Sequence, residues 1–180
     1  MQEAQHQGLH GEAPQPLRVL VPSPIGPLGV ELLRTAITRL LIDPLGTMQK
    51  AFTPLHEIHG SEFLDEVFGR LSEYFAGARR KLDLEFDLAP SGVSGFARRV
   101  LREAAKIPYG KTRSYQALAD LTGRPEAALQ VVSTLLSNPI PILIPCHRVV
   151  DGEPGPGGYV GGVERKIWLL QLEARGAETY

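Results

Sequence analysis

The sequence predicts an α+β protein in two parts, a small unit of strands and one helix followed by a mainly helical unit. Three observations lead there. Between positions 17 and 42, short β-prone runs alternate with Pro/Gly turns, whereas after position 96 the apolar residues recur at helical spacing. Between these regions, Ala89-Pro90-Ser91-Gly92-Val93-Ser94-Gly95 has the composition of a linker. The charge balance changes sign at the same place, from 8 Lys+Arg against 12 Asp+Glu up to Gly92 to 11 against 8 from Val93 onward. The expected division is a disordered leader at 1–16, an N-terminal unit at 17–92 and a C-terminal unit at 93–180.

Each element has its own signal. The leader is Gln-, Gly- and Pro-containing with little to bury. Runs at 17–21, 28–33 and 36–42, the first two separated by a Pro/Gly turn at 22–27, predict a three-stranded meander, and 44–53 carries no clear signal. Residues 61–76 predict a helix: Ser61 caps it, Glu62 and Asp65 suit its first turn, and Phe63, Val67, Leu71, Tyr74 and Phe75 share a face before Gly77. Apolar and acidic residues alternate over 82–88, the period of a half-buried strand returning to the sheet.

In the second part, 96–106 predicts a helix with Phe96, Val100, Leu101 and Ala104 inward and Arg98, Arg99 and Arg102 outward. Ser114 caps a short helix to Leu121, Thr122-Gly123 turns, and Pro125 opens a further helix to Leu136, because proline suits a first helical position. Two helices about a short glycine turn make a helix-turn-helix, a shape also found in proteins that never meet DNA. Residues 152–162 hold six glycines and two prolines around Tyr159, without the Gly-Lys-Ser/Thr ending of a phosphate loop. The last helix is expected over 164–174, with Ile167, Leu170 and Ala174 on one stripe and Trp168 and Leu172 widening it.

Composition excludes several classes. A single cysteine permits no intramolecular disulfide and no multi-cysteine zinc site, and fits a reducing cytoplasm. His56 and His59 alone make a poor metal site. No charged-then-apolar leader and no membrane-length apolar run occurs, so the chain reads as cytoplasmic, neither secreted nor inserted. A net charge of -1 does not by itself favour nucleic acid.

The chemistry centres on Cys146, which follows Pro139-Ile140-Pro141-Ile142-Leu143-Ile144-Pro145 and directly precedes His147. A free cysteine is most often a small core hydrophobe. A histidine beside it and a later carboxylate, Glu173, assemble the set that turns a thiol into a nucleophile, poised as an anion by its imidazole neighbour. On a regular strand the two adjacent side chains would point to opposite faces, so a bend at Pro145 or a bridging water is required.

Pro145-Cys146-His147-Arg148-Val149, Ile107-Pro108-Tyr109-Gly110-Lys111-Thr112 with Ser114-Tyr115, and Gly157-Gly158-Tyr159 with Gly161-Gly162 resemble the methylated-DNA-protein-cysteine methyltransferases. The likeness runs from about Gly95 to Glu173. It implies a ribonuclease H-like sheet plus helix at the N-terminus, then a winged helix-turn-helix-like domain that both binds DNA and accepts the alkyl group. It also implies single-turnover repair of 6-O-alkylguanine, with 4-O-alkylthymine a second candidate, and no metal or organic cofactor.

By the same resemblance, Cys146 is the acceptor, His147 takes its proton through water, Glu173 orients His147, and Asn138 bridges the two helices and supports the thiol segment. Tyr115 donates to a guanine ring nitrogen, backbone donors near Val149 and Val160 stabilise the leaving base, and Tyr159 stacks on it. The implied partner is double-stranded DNA with an alkylated guanine flipped out of it, met from the minor groove by a monomer through Gln116, Ala127, Ala128 and Leu129. Arg113, Arg124 and Lys111 are the nearest phosphate contacts. The chain departs from the family pattern at Leu129, where an arginine usually fills the gap in the base stack, and at Val132, Ser133 and Leu136. Three other readings stay open on sequence alone: a non-enzymatic binder of alkylated DNA, a cysteine hydrolase, and a DNA-binding regulator with an inert buried cysteine.

Overall fold

The computed structural model describes residues 15–42, 46–93, 95–152 and 155–178, so nearly all of the expected leader lies outside the described residues. β1 (Leu17–Val21), β2 (Leu28–Leu33) and β3 (Ala36–Ile42) form the antiparallel meander expected from their turns. A short β4 (Thr53–Pro54) adds in parallel to β1, giving the order β3-β2-β1-β4. The β2–β3 register shifts between Glu31 and Leu32, and the buried Thr38 hydroxyl donates to Glu31 O at that irregularity.

Residues 82–88 do not form the expected strand. They make one bridge, with Ile37 N donating to Glu85 O and Asp87 N to Ile37 O, each at 2.9 Å. Asp83 has φ +50 and the Leu82 and Asp83 carbonyls accept from Arg70, so those carbonyls are turned out of any sheet ladder. The alternation reports the burial of Leu82 and Leu84 correctly, and the segment does return to the sheet, but through a single bridge to Ile37 of β3 instead of as a strand.

α1 (Glu62–Phe75) begins as expected, with Ser61 Oγ accepting from Leu64 N. Its buried face is Leu64, Val67, Leu71, Tyr74 and Phe75, while Phe63 is only half-buried. α2 (Gly95–Ala105) buries Val100, Leu101 and Ala104. α3 (Tyr115–Leu121) is capped by Ser114, which accepts from Ala117 N. The helix expected from Pro125 starts as a 3-10 turn, Pro125–Ala127, and only then becomes α4 (Ala128–Leu136).

α5 (Val163–Glu178) is rotated from its expected stripe. Ile167 and Ala174 are exposed, and the buried face carries Lys166, Leu169, Leu172 and Glu173. Two charged residues on the inward face shift the apparent apolar stripe to the wrong side. A parallel pair, β5 (Arg113–Ser114) and β6 (Val149–Val150), joins the start of α3 to the segment after the thiol. The two parts of the chain share one apolar cluster, and Leu40 N donates to Pro139 O at 2.9 Å across them. No described helix is long and apolar enough to cross a membrane.

Candidate active site

The segment before the thiol folds back on itself. Ile144 N donates to Ile140 O at 3.0 Å, and the buried Ile142 sits at φ +75, a region that β-branched residues enter only when held there. After Pro145, residues Cys146–Arg148 form a 3-10 turn closed by Val149 N donating to Cys146 O. The strand geometry that would put Cys146 and His147 on opposite faces is therefore absent, and the bend lies at the expected proline. Asn138 holds the turn: its Nδ2 donates to Ile144 O (2.9 Å) and Cys146 Sγ (3.1 Å), and its Oδ1 accepts from Ile140 N (3.0 Å). All of these bonds run to the thiol segment.

Cys146 is 2% exposed. Burial pushes its thiol up to about 11, against the opposing pull of the Asn138 bond and the Lys166 charge. The expectation of a resting anion is corrected: the sulfur is a protonated thiol until a base removes its proton.

The candidate for that base is the next residue in the chain. His147 is fully buried, its Nε2 lies 2.9 Å from Glu173 Oε1, and its Nδ1 has no hydrogen-bond partner among the described residues. A carboxylate can only accept, so Nε2 carries the hydrogen and Nδ1 presents a lone pair. Burial holds the imidazole below its ordinary value, Glu173 opposes this, and Arg148 and Lys166 reinforce it. The ring is neutral and able to take a proton.

Glu173 is 1% exposed. Its Oε1 accepts from His147, from Tyr74 OH (2.7 Å) and from Arg148 Nη2 (2.8 Å); its Oε2 accepts from Arg148 Nε (2.9 Å) and Gly110 N (3.0 Å). Burial would raise the carboxyl, but the bonds and charges of His147 and Arg148 outweigh it and hold the group at about 2. Gly110 comes close only because it lacks a side chain: at φ +70, a Cβ there would fall 2.7 Å from that of Ala177. Arg148 also donates to Ile107 O (2.6 Å) and lies over the Tyr109 ring, so the Ile107–Gly110 motif serves to seat this ion pair.

Lys166 is a further candidate that the sequence analysis did not single out. It is fully buried, with Nζ donating to Val149 O (2.5 Å), Gly158 O (3.0 Å) and Tyr115 OH (3.3 Å), and burial brings it down to about 8. Its only sequence signal was a place one turn of helix from Leu169 and Leu170 and two from Glu173. Tyr115 is 6% exposed and donates to Gly158 O (3.3 Å), with the glycine loop folded against it. Gly157, at φ +72, can approach that closely because any Cβ would collide with the Tyr115 hydroxyl.

The remaining candidates lie as follows. Tyr159 is buried, meets the His147 ring edge-on at 6.3 Å, and its hydroxyl is unpartnered among the described residues. Val149 is buried with its N–H committed to the Cys146 carbonyl, and Val160 is half-buried. Gln116 Nε2 donates to Asp120 Oδ1 (3.0 Å) and Pro125 O (2.8 Å), tying α3 to the turn before α4. Ala127 is buried, Ala128 half-buried, and Leu129 stands 82% exposed. Arg113 and Lys111 are exposed, whereas Arg124 pairs with Glu126 at 3.2 Å and lies 4.9 Å above the Phe96 ring. A cleft of about 530 Å³ is lined by Tyr74, Pro145 and Arg148 among others, and Cys146 is not part of its lining. No group of three metal-ligating side chains occurs among the described residues.

Comparison with known proteins gives one result. A family profile described as 6-O-methylguanine DNA methyltransferase, DNA binding domain, matches residues 95–175. The methylated-DNA–protein-cysteine methyltransferase of Mycobacterium bovis is 36% identical over 155 residues, covering 85% of this chain and 89% of that protein. That of Methanosarcina barkeri is 35% identical over 154 residues, covering 86% and 94%. Among solved structures, Mycobacterium tuberculosis O6-methylguanine methyltransferase superposes with TM-score 0.78 at 35% identity, over 92% of this chain and 97% of that one. Mycobacterium tuberculosis OGT in complex with DNA gives TM-score 0.76 at 37% identity, over 88% and 93%.

Proposed function

We infer the reaction from one premise: the chain belongs to the methylated-DNA–protein-cysteine methyltransferase family. Its function is DNA repair by direct transfer of the alkyl group of 6-O-alkylguanine to a cysteine of the protein, once per molecule. The observation that supports this most is the buried imidazole of His147, with one nitrogen on the Glu173 carboxylate and the other without a partner among the described residues, next in the chain to its only thiol.

In the mechanism we propose, the Cys146 proton passes to His147 Nδ1, directly or through one water. The sulfur attacks the alkyl carbon in line, a C–S bond forms, and the C–O bond breaks with its electron pair going to the guanine oxygen. Glu173 stabilises the imidazolium that results. Tyr115 donates its hydroxyl hydrogen to a guanine ring nitrogen, and the Lys166 ammonium beside it favours the charge that builds on the phenolic oxygen. The thioether product is stable, so no step regenerates the thiol.

For the partner, we propose that a monomer meets duplex DNA from the minor groove through α3 and α4, the 93–180 part binding and reacting while the 17–92 part supports it. The damaged base must leave the stack at a cost of a few kcal/mol. With Leu129 exposed at the wedge position, insertion is apolar and contributes nothing to phosphate attraction. Arg124 is already occupied, leaving Lys111 and Arg113 as phosphate contacts. The expected slope of log K against log salt for duplex binding is about -2, from roughly two phosphates neutralised. Fluorescence anisotropy titrations over a salt series measure it, and a slope several times steeper rules out this arrangement.

The deciding experiment is the intact mass of the protein after exposure to a duplex containing 6-O-methylguanine. One methyl group per molecule, mapped to the Cys146 peptide and reaching a plateau at one equivalent, is the expected result. Tight binding without a mass change would replace the transferase with a lesion binder.

A further inference from the structure

We infer that Tyr74, carried by α1 of the N-terminal part, is a positioning residue for the acceptor site: by donating to the Glu173 oxygen that holds His147, it sets how strongly the carboxylate holds the imidazole proton. This rests on the alkyl-transfer reading above. Tyr74 lies outside the matched segment, 99 residues from Glu173 in sequence, and is 1% exposed.

The geometry determines which way the hydrogens point. Tyr74 OH is 2.7 Å from Glu173 Oε1 and 3.5 Å from His147 Nε2, while Nε2 is 2.9 Å from the same Oε1. The Nε2 hydrogen therefore goes to the carboxylate, and so does the tyrosine's. Burial and the Glu173 charge both push the Tyr74 hydroxyl far up, so it keeps its hydrogen and acts as a permanent donor. Oε1 is shared among Tyr74, His147 and Arg148. Each donor drains charge from the carboxylate and weakens its grip on an imidazolium. The groups that act on His147 are Glu173, Tyr74, Arg148, Lys166, Tyr159 and Cys146.

The ring and the hydroxyl have separable roles. The ring packs edge-on against Phe75 (5.4 Å) and Tyr109 (6.1 Å), which phenylalanine would do as well. The hydroxyl adds only its hydrogen bond to the carboxylate. Tyr74→Phe therefore keeps the packing and returns charge to Glu173, making His147 easier to protonate. Because the reaction requires neutral His147, the acid limb of the rate profile should move to higher pH, by about half a unit or more for one hydrogen bond to a charged group.

The test is the single-turnover rate of methyl transfer from a 6-O-methylguanine duplex as a function of pH, for the parent, Tyr74→Phe and Tyr74→Leu, with Tyr109→Phe as control. Tyr109 donates weakly to Leu172 O and not to the carboxylate. An upward shift of the acid limb in both Tyr74 variants, absent from the control, supports the assignment. An unmoved limb, even with slower transfer or lower thermal stability, overturns it. If the parent transfers no alkyl group, the alkyl-transfer reading fails separately. The ¹⁵N shifts of the His147 ring against pH then decide on Tyr74: a midpoint raised in Tyr74→Phe supports the inference, and an unchanged one overturns it.

Discussion

Cys146→Ser is expected to take up no alkyl group while still folding and binding duplex DNA. Serine is close to isosteric, and its oxygen can accept the Asn138 Nδ2 hydrogen that Sγ now accepts at 3.1 Å. The 3-10 turn is closed by backbone groups that the change leaves alone. What is lost is acidity and polarisability. A thiol held at about 11 still yields its proton to a neutral imidazole often enough to react. An alkanol lies several units further up and is a weaker nucleophile at carbon. Intact-mass analysis should show no gain, lesion binding by anisotropy should match the parent, and thermal stability should move by less than about 1 kcal/mol. A serine variant that clears the lesion as well as the parent would show that the sulfur is not the acceptor.

Glu173→Gln is expected to cost both stability and rate. The amide keeps the shape but places an NH₂ among donors from Tyr74, His147, Arg148 and Gly110, so at least one pair of donors must face each other. Arg148, only 8% exposed, loses its counter-charge. Removing one partner of a buried pair destabilises by about 3–5 kcal/mol, which denaturant titration would register. His147 loses the anion that fixes its tautomer and stabilises its protonated form, and transfer should slow by about a hundredfold or more.

The pH dependence follows from the same residue. The Glu173 carboxyl is held at about 2 against an ordinary 4.5, so the unfolded chain takes up the proton first. Its contribution is present in full above 4.5 and is lost as pH falls through about 2. His147, held below its ordinary 6.5, acts in the same direction: the unfolded state protonates first and stability falls with pH below that value. The parent should therefore lose stability steeply in acid. The glutamine variant, which starts less stable, should show a shallower slope between 4.5 and 2.

Much of this molecule is legible along the chain. The meander is readable because Pro and Gly punctuate runs of β-prone residues, and α1 because Ser61 and the spacing of Val67, Leu71, Tyr74 and Phe75 agree. Cys146 and His147 stand out because a lone thiol beside an imidazole needs no partner elsewhere to be noticed. Other features leave no periodic trace. The 82–88 alternation marks burial but not which carbonyl faces a strand and which faces Arg70. On α5, buried Lys166 and Glu173 look like surface charges, and so the helix was expected about its wrong face.

The sequence by itself determined the three-stranded meander, the order of the main helices, the place of the lone thiol beside His147 and the family to which its motifs belong. Those depend on local spacing and on residues adjacent in the chain. Only the tertiary structure decided that burial raises the thiol, that His147 Nδ1 has no partner among the described residues, and that Lys166 and Tyr74 are packed around Cys146, His147 and Glu173. Each is the outcome of burial combined with charges and hydrogen bonds brought together from 17 to 99 residues apart, where no pattern along the chain can register them.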